Sequence, residues 1–87
     1  MTARALTPAE TAWRAELETL FARCPSKRLG MYTVGDKSLY LYDRPMAIKW
    51  DAQYRGPTLD ASDQHTRDGS ALGAISTGPI QIDSCAG

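Results

Sequence analysis

The apolar residues of this chain change period at Leu29, and that switch limits the fold more than any other feature of the sequence. Before it, Trp13, Leu17, Leu20, Phe21 and Cys24 recur at three- and four-residue steps, which puts them on one side of a helix. Thr7-Pro8-Ala9-Glu10 marks the start of that helix, with a Thr N-cap, Pro at the first helical position and Glu at the third forming a capping box. Glu10, Arg14 and Glu18 make an i,i+4 charge ladder on another face, and Pro25 ends the segment. The sequence therefore predicts a core-facing surface helix over about 8–24.

From Leu29 the step is two. Gly30, Tyr32 and Val34 alternate with Leu29, Met31 and Thr33, a Gly35-Asp36-Lys37 turn follows, and Leu39 to Tyr42 resumes the alternation, which predicts a hairpin. Asp43-Arg44-Pro45 reads as a second turn. Met46, Ile48, Trp50, Ala52 and Tyr54 then alternate with Ala47, Lys49, Asp51 and Gln53, predicting a third antiparallel strand and a strand region over about 29–55. Residues 56–70 are polar and aperiodic, a long loop of the kind that carries function or moves. Ala71 to Ser76 and Pro79 to Asp83 are weaker candidates for C-terminal strands over about 71–84, where Gly73 and Gly78-Pro79 indicate edges or bulges. The expected class is α+β, an N-terminal helix packed on an antiparallel sheet of three to five strands in a single domain, 1–87.

The chain has 87 residues, 43% hydrophobic and 23% charged, which suits one globular domain and leaves no room for a second. Ten basic and ten acidic side chains cancel, so no long-range field draws the whole molecule toward nucleic acid or an anionic membrane. The charge is uneven: residues 1–28 carry a surplus of two positive charges and residues 56–87 a deficit of three. No apolar run approaches the length of a membrane span and no secretory signal is evident, so the expected compartment is the cytoplasm. Cys24 and Cys85 are too few and too far apart for a disulfide scaffold or a zinc site, and reduced thiols are expected.

Three constellations resemble catalytic or ligand motifs and each has a flaw. Gly30 to Ser38 approaches a P-loop, but Asp36 separates the second glycine from Lys37, puts a carboxylate where phosphate would sit, and lies within a hairpin. Asp60, Ser62 and Gln64 start like a calcium loop, but His65 occupies the glycine position and Ala71 the glutamate position; a looser set of Asp60, Asp63, His65 and Asp68 reads more simply as a solvated loop. His65, the only histidine, has Ser62, Ser70 and Asp68 nearby in sequence, yet a flexible loop rarely aligns a nucleophile, base and orienting acid. No catalytic residue, metal or cofactor is expected.

With Leu39 and Leu41 toward the helix, Tyr40 and Tyr42 face the other side of the sheet. Tyr32, Tyr40, Tyr42 and Lys49 are thus a candidate contact patch, unless the tyrosines lie under the 56–70 loop. Asp60, Asp63 and Asp68 add an acidic loop able to mimic phosphate toward a basic surface. The same tyrosines, with Arg44, Lys49 and Arg55, offer an alternative role in stacking single-stranded bases. A further alternative is self-association, edge to edge, through Met46 to Tyr54 or a strand near Ile80 and Ile82.

The stretch Cys24-Pro25-Ser26-Lys27-Arg28-Leu29-Gly30-Met31-Tyr32-Thr33-Val34-Gly35-Asp36, ending in Tyr42-Asp43, resembles a segment of small uncharacterised bacteriophage and prophage proteins. The resemblance spans about a fifth of the chain and carries over no catalytic or binding residue. It implies a stoichiometric binder that blocks or redirects a host protein, a class that includes inhibitors of host defence such as anti-CRISPR proteins. The sequence as a whole favours a non-enzymatic protein-binding module.

Overall fold

Helix α1, Pro8–Ala22, begins where its capping box places it: the Thr7 hydroxyl accepts the Glu10 amide at 3.1 Å and the Glu10 carboxylate accepts the Thr7 amide at 2.8 Å. The structure is a computed structural model that describes residues 2–83, so Cys85 and the last position of the expected 71–84 region lie outside the described residues. The hairpin also forms as expected, with β1 at Leu29–Tyr32 paired antiparallel to β2 at Ser38–Asp43 and Tyr32 opposite Tyr40. Asp36 holds its turn, accepting the Ser38 amide at 2.9 Å and the Tyr40 hydroxyl at 2.8 Å.

The segment expected to be the third strand is a helix instead, α2 at Arg44–Gln53. The cause is local. The Asp43 carboxylate accepts the Met46 amide at 3.0 Å, and Pro45 in the first turn suits a helix start, so Asp43-Arg44-Pro45 is an N-cap and not a turn between strands. Alternation over Met46 to Tyr54 also contains a helical stripe: Ala47 is buried, and Trp50 stacks on Tyr54 with ring centroids 4.4 Å apart. Met46 and Ile48, which the strand reading would have buried, face water.

Residues 56–70 are likewise not all loop, because α3 occupies Ala61–Arg67. Asp60 caps it by accepting the Asp63 amide at 2.8 Å. The third strand of the sheet is β3, Ala71–Ser76, antiparallel to β2, so the order β1-β2-β3 leaves β1 and β3 as edges. Its register slips between Leu41 and Tyr42, where Leu72 is the extra residue of a bulge, and Gly73 there adopts φ of 110°, a conformation glycine tolerates and other residues resist. Pro79 to Asp83, the other C-terminal strand candidate, is not a strand: Thr77 and Ile80 close a turn, and the Ile82 amide donates to the Asp36 carbonyl at 3.1 Å.

The protein is thus α+β with an N-terminal helix, a three-stranded antiparallel sheet and two further helices. The apolar stripe of α1 is not buried by the described residues: Trp13, Leu20 and Phe21 are about half exposed, Leu17 is only half-buried, and no residue of α1 is buried among them. No described helix is long and apolar enough to cross a membrane.

Candidate functional site

Alternation along β1 and β2 sets Tyr32, Tyr40 and Tyr42 on one face of the sheet, as the sequence predicts. Their rings are half-buried and close: Tyr32 stacks on Tyr40 at 5.2 Å and meets Tyr42 at 6.1 Å. Gly30, beside them on the same face, leaves the space the Tyr42 ring fills, since a Cβ there would come within 2.5 Å of it. Helix α3 then lays His65 over the group. The imidazole stacks on Tyr42 at 4.0 Å and 19°, and lies 4.9 Å from Tyr32.

His65 is buried, with its Nδ1 2.9 Å from the hydroxyl of buried Ser70 and 3.4 Å from Oδ2 of Asp68. Asp68 Oδ1 accepts the Ser70 amide at 2.7 Å, and Oδ2 has no hydrogen-bond partner among the described residues. Burial works against the ionised Asp68 carboxyl, but hydrogen bonding from Ser70 and the neighbouring His65 outweigh it and hold the group below the usual carboxylate range. Nδ1 and the Ser70 hydroxyl share one hydrogen bond, whose direction follows the imidazole tautomer. Sequence proximity of His65, Asp68 and Ser70 therefore becomes spatial proximity. A nucleophile relay needs the serine and the acid on opposite ring nitrogens, whereas here both address Nδ1, so the three residues form a clasp that orients the ring. Ser62 stands apart, its carbonyl accepting the Thr66 hydroxyl.

No family model, curated protein or solved structure matches this chain.

What the clasp orients is the wall of a cleft between α2 and α3. The cleft has a volume of about 300 Å³ and is lined by Tyr42, Arg44, Ile48, Asp51, Gln64 and His65, with buried Ala47 beside them. Arg44, Ala47, Ile48 and Asp51 fall at helical steps on one side of α2, so the helix the sequence reading missed supplies half the site. Arg28 braces its base, donating to the Asp43 carboxylate at 2.7 Å. The Met46 amide, and after it the Arg28 guanidinium, hold the Asp43 carboxyl below its usual range.

The structure separates the expected contact residues. Tyr32, Tyr40 and Tyr42 come together, but their ring faces are occupied by one another and by His65. Tyr40 donates to Asp36, which raises its phenol above the ordinary range. Lys49 is exposed on α2 rather than on the sheet face, because its segment is helical. Asp60 is committed to capping α3, Asp68 to the clasp, and Asp63 alone of the three acids stands exposed without either task. The looser cation set is not assembled: among the described residues no group of three or more His, Cys, Asp or Glu side chains could hold a metal ion. The sequence signal for His65 was the cap at Asp60, which predicts a helix start and with it a fixed direction for the residues that follow.

Proposed function

We propose that this protein is a small non-enzymatic protein-binding module that acts by stoichiometric contact, with the α2–α3 cleft as its contact site. The observation that carries the reading is Ile48, 60% exposed at the mouth of a cleft backed by Tyr42 and the clasped His65. An apolar anchor beside a preformed recess, with Arg44 and Asp51 at hand for charge pairing, is the arrangement that concentrates binding energy at protein interfaces. Zero net charge favours recognition by shape and local pairs over long-range attraction. Exposed Lys49 and Asp63 lie on the two helices of the cleft and supply pairing charges of either sign.

The resemblance of Cys24 to Asp36 to phage and prophage proteins supports a bacterial host protein as the partner, blocked by surface occlusion as an inhibitor of host defence would block it. The test is capture from nuclease-treated bacterial lysate by the tagged protein and by its Ile48→Glu and Arg44→Glu variants. The expected result is a stoichiometric host protein held by the parent and lost by both variants at unchanged circular dichroism. Equal capture by all three refutes the site; recovery of nucleic acid alone from a parallel untreated lysate refutes the protein-binding reading.

A further inference from the structure

Ala47 is the one buried hydrophobic residue among the described residues, while Trp13, Leu20 and Phe21 of α1 keep 51%, 60% and 49% of their surface exposed. The radius of gyration is 16.0 Å, against about 12 Å for a compact chain of this length. An amphipathic helix of this size draws most of its stability from packing its apolar face, and the described residues do not supply the cover. At the head of the stripe, Leu6, Ala9 and Trp13 form with Ile80 an apolar groove of about 500 Å³.

We infer that the cover is a second copy of this chain, joined in a two-fold homodimer through antiparallel α1 helices, a surface separate from the α2–α3 cleft. A two-fold contact brings the same patch to itself. With the axis at Leu17, Trp13 of one copy lies opposite Phe21 of the other, because the two positions are equally spaced about residue 17. The same alignment sets Glu10 opposite position 24 of the second copy, next to the C-cap Arg23, so the acidic first turn of each helix comes near one positive charge just past the end of the other. The net charge of zero adds no repulsion between copies. The area is also adequate. The exposed parts of Leu6, Trp13, Leu20, Phe21 and Ile80, at about 100 Å² each, give roughly 500 Å² per copy, about 1,000 Å² over both, which meets the lower bound of a specific interface.

Light scattering on the full chain at micromolar concentration is expected to give twice the chain mass. Leu20→Glu, which puts a charge in the stripe, is expected to weaken association at least about thirtyfold. Because that variant can disturb folding, cysteine crosslinking provides the second reading. In a Cys24→Ser, Cys85→Ser background, Leu17→Cys is expected to give a disulfide-linked dimer on mild oxidation. Phe21→Cys is not, since the two copies of position 21 lie about 12 Å apart along the helices. A monomer at every concentration, a dimer indifferent to Leu20→Glu, or crosslinking at 21 in place of 17 overturns the inference. So does a monomer whose α1 is covered only by a different protein; host-protein capture lost in Ile48→Glu then still supports the cleft reading.

Discussion

Replacing His65 by alanine removes three contributions that converge on one buried ring. The stack on Tyr42 at 4.0 Å and the tilted contact with Tyr32 at 4.9 Å are worth about 0.5–1.5 kcal/mol each beyond the area they bury. The Ser70 hydroxyl loses its 2.9 Å partner and the Asp68 carboxylate the imidazole 3.4 Å from it, at about 1–3 kcal/mol for buried groups left unpaired. Together the loss is about 2–6 kcal/mol, a large share of the ~5–15 kcal/mol typical of a whole domain. His65→Phe keeps a ring over Tyr42 but not the Nδ1 contacts, so about 1–3 kcal/mol is expected from the orphaned partners alone. Urea unfolding at fixed protein concentration, followed by far-ultraviolet circular dichroism, measures both. Hydrogen exchange at the Gln64 and Asp68 amides, which donate to the Asp60 and Gln64 carbonyls, reports whether α3 opens first. A loss below about 1 kcal/mol for His65→Ala refutes the reasoning, because it means the ring is not packed as the stack requires.

Gly30→Ala is expected to destabilise by about 1–3 kcal/mol through overpacking, because its Cβ would meet the Tyr42 ring at 2.5 Å and the Arg44 side chain at 2.7 Å; the urea midpoint checks it, and an unchanged midpoint contradicts the close approach. Asp43 and Asp68 have folded carboxyls held below their usual range, so their stabilisation is present above that range and is lost as pH falls below about 4. Unfolding midpoints measured down an acid series should fall there, with a flatter acid limb for Asp43→Asn. Tyr40 has the opposite sign: its phenol is raised, so its contribution holds through the neutral range and is lost as pH climbs past about 10, a limb that Tyr40→Phe should remove.

Several parts of this molecule were readable one residue at a time. The capping box at Thr7 and Glu10 specifies the start of α1 through two hydrogen bonds spanning three residues, and the Gly35-Asp36-Lys37 turn specifies the hairpin. Alternation then commits Tyr32, Tyr40 and Tyr42 to one face whatever lies on it. The third strand was misplaced because the apolar residues of Met46 to Tyr54 fit both a period of two and a helical stripe. The cap from Asp43 to the Met46 amide settled the matter, and a second such cap at Asp60 was hidden in a polar segment read as loop.

The sequence by itself determined the helix start, the hairpin and the shared face of the tyrosines, which depend on neighbours within a few residues, and the zero net charge, which is a sum over the composition. Only the tertiary structure decided that His65 closes over Tyr42, that Asp68 and Ser70 meet on its Nδ1, and that Arg44, Ile48 and Asp51 border a cleft. It also decided that the stripe of α1 is left open. Those outcomes depend on contacts between residues far apart in the chain, whose partners are chosen by packing and closure of the intervening segments rather than by local period or cap.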